Sequence, residues 1–94
     1  MAGERETTFL VETYVPNLDG QAAATISSRY RSAIRELERQ GVILRRLRSY
    51  ALIADETFLC IVGARGSDEV VELSRRAGLD PDHVVQVVQL DPAP

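Results

Sequence analysis

TFLCIVGA, the stretch from Thr57 to Ala64, is apolar on both of its faces, which predicts a β-strand that is covered on both sides. Before it, Val42 to Tyr50 sets apolar residues among arginines and predicts another strand. Only Ala54-Asp55-Glu56 reverses the chain between them, so the two strands should form an antiparallel hairpin. The other elements are arranged around this hairpin.

A strand and a helix precede the hairpin. Thr7 to Tyr14 is rich in β-branched and aromatic residues and predicts the strand. Gln21 to Gln40 then predicts the helix, with Asp19 as its N-terminal cap and Gly41 as its stop. Its apolar residues fall at helical spacing, at Ala22, Ala23, Ile26, Tyr30, Ala33, Ile34 and Leu37.

A helix and a strand follow the hairpin. Ser67 is the expected cap of the helix and Gly78 its stop. The inward stripe of this helix is expected to comprise Val70, Leu73, Ser74 and Ala77. After the turn Asp80-Pro81-Asp82, His83 to Leu90 predicts the last strand.

The resulting order, β-α-β-β-α-β, predicts an α+β fold of the ferredoxin-like βαββαβ sandwich type. In that fold a four-stranded antiparallel sheet carries two helices on one face. The 94 residues suit a single domain, with an ordered core over 6–90 and a tail over 91–94. The third and fourth strands are apolar on both sides, so the second sheet face also needs a cover. We expect a second copy of the chain to provide it, which predicts a homodimer with a ligand pocket against the sheet.

The composition excludes several classes of function. All 11 basic residues are arginines, so there is no lysine for a Schiff base or a phosphate-binding loop. One cysteine and one histidine exclude a disulfide framework and a Cys/His zinc finger. The net charge of -3 argues against nucleic-acid binding. No apolar run suits a membrane span or a signal peptide, and we expect a cytoplasmic protein.

Glu12 is the unusual residue of the first strand. By alternation it shares a face with Tyr14, away from Phe9, and so points at the expected dimer or ligand. It could act as a metal ligand or a general base. Alternatively, it could form an ion pair with Arg46 or Arg48, which alternation places on one face with Tyr50.

Two further residues could carry chemistry. Cys60 lies in mid-strand with no basic neighbour in the sequence, which favours a buried core thiol over a nucleophile or metal ligand. His83 follows Asp80 and Asp82 and could help to hold a divalent ion, although a purely structural role is more common for such a residue. Asp55 and Glu56 are expected as ordinary turn residues.

Three stretches resemble a known bacterial family: FLVETYVPNL (9–18), LRSYALIADETFLCIVGA (47–64) and VVELSRRAGLDPDHVVQVV (70–88). It is a family of small ferredoxin-like domains of unknown function that includes a nickel-binding protein. The resemblance implies a homodimeric βαββαβ fold, in some members with a divalent metal such as nickel. The family positions that match are Glu12, Tyr14, Arg48, Tyr50 and Cys60.

The chain departs from this family at two points. Ser74-Arg75 stands where relatives often have His-Ala, and no aromatic residue lies next to Arg46, where relatives often have one. The missing histidine argues against nickel, because imidazole suits nickel better than a serine hydroxyl does.

Three functional hypotheses follow. The first is a non-enzymatic binding module that holds a small ligand or a metal ion in a cavity near Glu12. The second is a cofactor-independent enzyme of the cyclase, isomerase or monooxygenase type, acting on a small organic or natural-product intermediate. In that enzyme Glu12 would be the base, while Tyr14, Tyr50 and Arg48 would polarise an enolate or carbonyl. The third is a structural or regulatory subunit.

Overall fold

The computed structural model describes residues 6–90, apart from the side chain of Leu47. The predicted tail over 91–94 lies outside the described residues. The elements, in chain order, are β1 (Thr7–Tyr14), α1 (Gly20–Arg39), β2 (Arg45–Leu52), β3 (Thr57–Ala64), α2 (Ser67–Arg76) and β4 (His83–Val87). The strands form one antiparallel sheet in the order β2-β3-β1-β4. This is the ferredoxin-like βαββαβ fold, so the predicted fold class is confirmed.

The core lies between the two helices and one face of the sheet. Alternate residues of the central strands, among them Val11, Cys60 and Val62, face the helices and are almost completely buried. The helices contribute the apolar stripes expected from their sequences, including Tyr30 and Leu73. No helix within residues 6–90 is long and apolar enough to cross a membrane.

The strands β1 and β3 have the predicted bounds, whereas β2 and β4 differ from them. The strand β2 begins at Arg45 rather than Val42 because Arg45 pairs with Gly63, one residue before β3 ends. It ends at Leu52 rather than Tyr50 because Leu52 pairs with Thr57, the first residue of β3. The strand β4 ends at Val87 rather than Leu90 because Val87 pairs with Thr8, one residue from the start of β1. In both cases the hydrogen-bonded ladder ends where the partner strand ends.

The helix boundaries confirm one predicted cap and correct the other. Asp19 caps α1, and its carboxylate accepts a 2.8 Å hydrogen bond from the backbone N–H of Ala22. Ser67 is not the cap of α2, because it is already the first helical residue. The N-cap is Gly66, which has no side chain to accept such a bond. The glycines after both helices have positive φ, as expected of helix stops (Gly41 +88°, Gly78 +85°).

Candidate functional site

The sheet surface turned away from the helices, here called the open face, carries the candidate site. Cross-strand partners lie on the same face, so the register gives four rows of side chains. The first row is Arg45, Gly63, Thr8 and Val87; the second is Arg48, Ile61, Leu10 and Val85; the third is Tyr50, Leu59, Glu12 and His83; the fourth is Leu52, Thr57 and Tyr14.

The middle of the open face is apolar. Leu10, Leu59 and Ile61 are half-buried by their neighbours within the sheet, and the side chain of Val85 is 44% exposed. An apolar strand face open to water is unusual for an antiparallel sheet with one covered side. This surface is therefore the first place to look for a partner or a ligand.

A groove of about 280 Å³ runs over the first two rows. It is lined by Thr8, Leu10, Arg48, Ile61, Val87, Val88 and Gln89. Glu12 belongs to the next row and is not among the lining residues. This groove on the open face thus lies beside Leu10 and Arg48, whereas the sequence predicts a cavity around Glu12.

Glu12 lies directly opposite His83 in the β1–β4 ladder. On its other side lies Leu59, and Tyr50 follows on β2. The Glu12 carboxylate makes no hydrogen bond or ion pair with another of residues 6–90. The predicted ion pair with Arg46 or Arg48 is therefore wrong, because β3 separates β1 from β2.

Arg46 lies on the other side of the sheet from Arg48. The ladder slips by one residue between these two arginines, so Arg46 pairs with Val62 while Arg48 pairs with Ile61. A bulge of this kind reverses the alternation of faces that follows it. One Nη of Arg46 donates to the backbone oxygen and to the hydroxyl of Ser27, both at 2.8 Å. The predicted shared face with Tyr50 is correct for Arg48 and wrong for Arg46.

Cys60 is a buried core thiol, as the sequence favours. It is 0% exposed and lies on the helix side of the sheet, opposite Val11. Burial raises the pKa of the Cys60 thiol, and Ser49 Oγ lies 3.6 Å from its sulfur. The thiol therefore stays protonated and has no access to the open face.

Ser74, at the position where the resembling family often has histidine, is also in the core. It is 0% exposed, and its hydroxyl lies 2.8 Å from the hydroxyl of Tyr30. Burial raises the pKa of Tyr30 to about 12. The Tyr30 ring stacks on Phe58 with 5.9 Å between ring centroids. A side chain at position 74 therefore faces the helix–sheet interior.

Glu56 has more contacts than the ordinary turn residue expected from the sequence. Its carboxylate accepts hydrogen bonds from the Tyr14 hydroxyl at 3.0 Å and from the backbone N–H of Asn17 at 2.6 Å. The hydrogen bond to this carboxylate raises the pKa of Tyr14. Glu56 thus connects the hairpin turn to the β1–α1 loop and orients Tyr14 at the edge of the open face. The sequence held no signal for this contact, because turn carboxylates are common.

The candidate metal ligands do not form a complete set. Within residues 6–90 no group of three or more His, Cys, Asp or Glu side chains is placed to hold a metal ion. Glu12 and His83 are only two side chains, and Cys60 lies on the other side of the sheet. Asp82, next to His83, accepts a 2.6 Å hydrogen bond from the backbone N–H of Tyr14 instead.

Comparisons with known proteins support the fold. No protein-family model matches the chain, and no curated protein matches it. The chain is similar to a solved structure described as "Crystal structure analysis of SCO4226 from Streptomyces coelicolor A3(2)". The match has a TM-score of 0.75 at 13% identity and covers 89% of this chain and 99% of the other. At that identity the likeness shows the fold: this is a small ferredoxin-like α+β protein that resembles SCO4226.

Proposed function

We propose that the protein is a non-enzymatic binding protein that works as a homodimer, with two copies joined through their open faces. In this proposal a small, mainly apolar ligand occupies the groove beside Leu10. The main support for this proposal is the apolar centre of the open face, which no element within residues 6–90 covers. Packing a second sheet against this face removes its apolar side chains from water, which is the main driving force for association.

The open face is large enough for a dimer interface. The strands β1, β2 and β3 have eight residues each and are about 27 Å long, β4 has five and is about 17 Å long, and the four side by side span about 19 Å. Each copy therefore offers roughly 500 Å² of flat face, and two copies together bury about 1,000 Å², near the lower bound for a specific interface. Flat sheet faces commonly pack on one another at a separation of about 10 Å. We therefore propose that the open face is covered by a second copy of the chain.

The volume and the lining of the groove indicate which kind of ligand could bind there. Pockets for drug-sized molecules usually measure about 300–1,000 Å³, so the groove of about 280 Å³ suits a smaller molecule. Leu10, Ile61 and Val87 offer it aliphatic contacts, while Thr8 adds one hydroxyl. A second copy packed over this face would enclose the groove and shield the ligand from water.

Sedimentation velocity at micromolar concentration tests the dimer. We expect the wild-type chain to sediment as a dimer and Val85→Arg to sediment as a monomer with an unchanged circular dichroism spectrum. The matched control is Ile43→Arg. Ile43 is 62% exposed but lies between α1 and β2, outside the sheet, so this variant should remain dimeric. A monomeric wild-type chain would refute the dimer.

Titration with 1-octanol, an uncharged eight-carbon probe, tests the ligand groove. In methyl-labelled protein we expect saturable NMR shifts at Leu10, Ile61 and Val87, which line the groove. Methyl groups of the helix-side core, such as that of Val62, should be unaffected. If the dimeric protein shows no saturable shifts, the proposed ligand groove is refuted and the hypothesis of a structural subunit remains.

The second candidate function is a cofactor-independent acid–base enzyme. It is supported by one observation, the placement of Glu12 directly opposite His83 on the open face. A carboxylate beside an imidazole can move a proton to or from a bound substrate. Replacement of Glu12 by Gln should then abolish turnover of a natural-product intermediate, measured on the protein that remains folded. Retained turnover would remove Glu12 from the mechanism.

A divalent metal such as nickel has less support from the described residues. Two candidate ligands, Glu12 and His83, are too few for a closed site, and Ser74 faces the core. Metal analysis of untagged protein and the melting temperature with added nickel test this point directly. For localisation we propose the cytoplasm, because the free thiol of Cys60 suits a reducing compartment.

A further inference from the structure

The open face carries one arginine and one carboxylate that have no side-chain partner among residues 6–90. Arg48 and Glu12 make no hydrogen bond or ion pair with any other of residues 6–90. The remaining arginine of this face, Arg45, is neutralised by Glu6, whose carboxylate accepts a 2.8 Å hydrogen bond from its Nε. The pair lies over Gly63, where a Cβ would meet the Glu6 carboxylate.

Arg48 and Glu12 are not neighbours in the sheet of one chain. They belong to adjacent rows and lie two strands apart, with β3 between them. With strands about 4.8 Å apart and two residues advancing about 6.8 Å, their Cα atoms are about 12 Å apart. Leu59 and Ile61 of β3 fill the space between them.

We infer that Arg48 of each copy forms an ion pair with Glu12 of the partner copy in the homodimer. This inference rests on the proposed function, because it assumes that the open faces meet. A two-fold interface is self-complementary: if Arg48 meets the partner's Glu12, then Glu12 meets the partner's Arg48. The two ion pairs are therefore formed together.

The register of the sheet allows this arrangement. The point midway between Arg48 and Glu12 falls on β3, between Ile61 and Leu59. The strand β3 is one of the two central strands, so a two-fold axis that lies in the interface above that point is also close to the middle of the sheet. The same axis brings the apolar side chains of Leu59 and Ile61 to the centre of the interface.

The energetics of burial favour the same pairing. A dimer that covered the open face without this contact would bury one unpaired guanidinium and one unpaired carboxylate in each copy. Burying a charge without a partner is strongly unfavourable, whereas a hydrogen-bonded pair offsets much of the desolvation. The pairing therefore selects one orientation of the two sheets among those that apolar contact alone would permit.

Charge-reversal variants test the inference. We expect Arg48→Glu alone and Glu12→Arg alone to raise the dimer dissociation constant at least 100-fold, because each places like charges opposite one another twice. An equimolar mixture of the two variants should form a heterodimer, seen by native mass spectrometry, in which both ion pairs have opposite charges. The double variant R48E/E12R should again form a homodimer.

The control is Arg31→Glu, which makes the same change of charge on the exposed surface of α1 and should leave the dissociation constant unchanged. Wild-type affinity in both single variants would overturn the pairing but leave the proposed dimer standing. Single variants that are folded and monomeric but do not combine when mixed would also overturn it. A monomeric wild-type chain would instead refute the proposed function itself.

Discussion

At the scale of single residues, the polar contact between Tyr30 and Ser74 is the central feature of the core. Both residues are 0% exposed, and their hydroxyls lie 2.8 Å apart, 44 residues from each other in the chain. Buried hydroxyls need a hydrogen-bond partner, and each of these satisfies the other. The inward direction of both residues could be predicted from helical spacing, but their contact could not.

Replacement of Tyr30 by Phe should destabilise the protein by about 1–3 kcal/mol, because the Ser74 hydroxyl is left buried without a partner. Adding Ser74→Ala should recover part of this loss, since both polar groups are then gone. Urea denaturation of the two single variants and the double variant measures the coupling. Strictly additive losses would contradict an energetically significant hydrogen bond.

Alkaline pH offers a second measurement on the same variants. Burial raises the pKa of Tyr30 to about 12 in the folded protein, whereas an unfolded tyrosine has a pKa of about 10. The folded state therefore keeps its proton where the unfolded state loses it. The raised pKa of Tyr30 therefore contributes fully to the free energy of unfolding below about pH 10, and this contribution is lost as the pH rises to about 12. The Tyr30→Phe variant should lack this part of the pH dependence.

At the scale of elements, the two helices begin in different ways. The helix α1 has a side-chain cap, Asp19, whereas α2 begins after Gly66 without a side-chain cap. Instead, Asp68 and Glu69 lie in the first turn of α2, where carboxylates interact favourably with the helix dipole. The sequence predicted Ser67 as the cap because serine is a better capping residue than glycine, but the helix begins one residue earlier, after Gly66.

Truncation of the two candidate caps should therefore have unequal effects. Asp19→Ala should cost about 1 kcal/mol, because it removes the acceptor for the Ala22 N–H. Ser67→Ala should change the stability by less than about 0.5 kcal/mol, the usual effect of a surface substitution. The urea midpoints of the two variants provide the comparison. Equal losses would contradict the assigned helix start.

The β-bulge in β2 also acts at this scale. The one-residue slip between Arg46 and Arg48 sends Arg46 to Ser27 of α1 and leaves Arg48 on the open face. Without the slip, strict alternation would keep both arginines on one side. A bulge depends on pairing with another strand, so the local sequence of β2 alone does not reveal it.

At the scale of the whole molecule, the sheet has one side that the helices cover and one that the described residues leave open. The helix side contains the core, including Val11 and Cys60. The open side combines the apolar residues of β3 with Arg48 and Glu12, two charges that have no partner among residues 6–90. The core that stabilises the fold and the contacts of the proposed dimer therefore lie on opposite faces of the same four strands.

A homodimer formed through the open face should melt at a temperature that depends on protein concentration. Folding that is coupled to association is stabilised by mass action, so a tenfold increase in concentration should raise the melting temperature by a few degrees. Differential scanning calorimetry over about 10–1,000 μM checks this expectation, with Val85→Arg as the concentration-independent control. A constant melting temperature for both proteins would contradict coupled association.

The sequence by itself determined the element order, the bounds of β1 and β3, the Asp19 cap and the burial of Cys60. These features depend on residues that are close together along the chain, through helical spacing, strand alternation and local hydrogen bonds. The tertiary structure alone decided that Arg46 leaves the open face, that Glu12 lies opposite His83 in the ladder, and that the groove lies beside Leu10. Each of these depends on which strands pair and in which register, a property of residues far apart in the chain that local patterns do not encode.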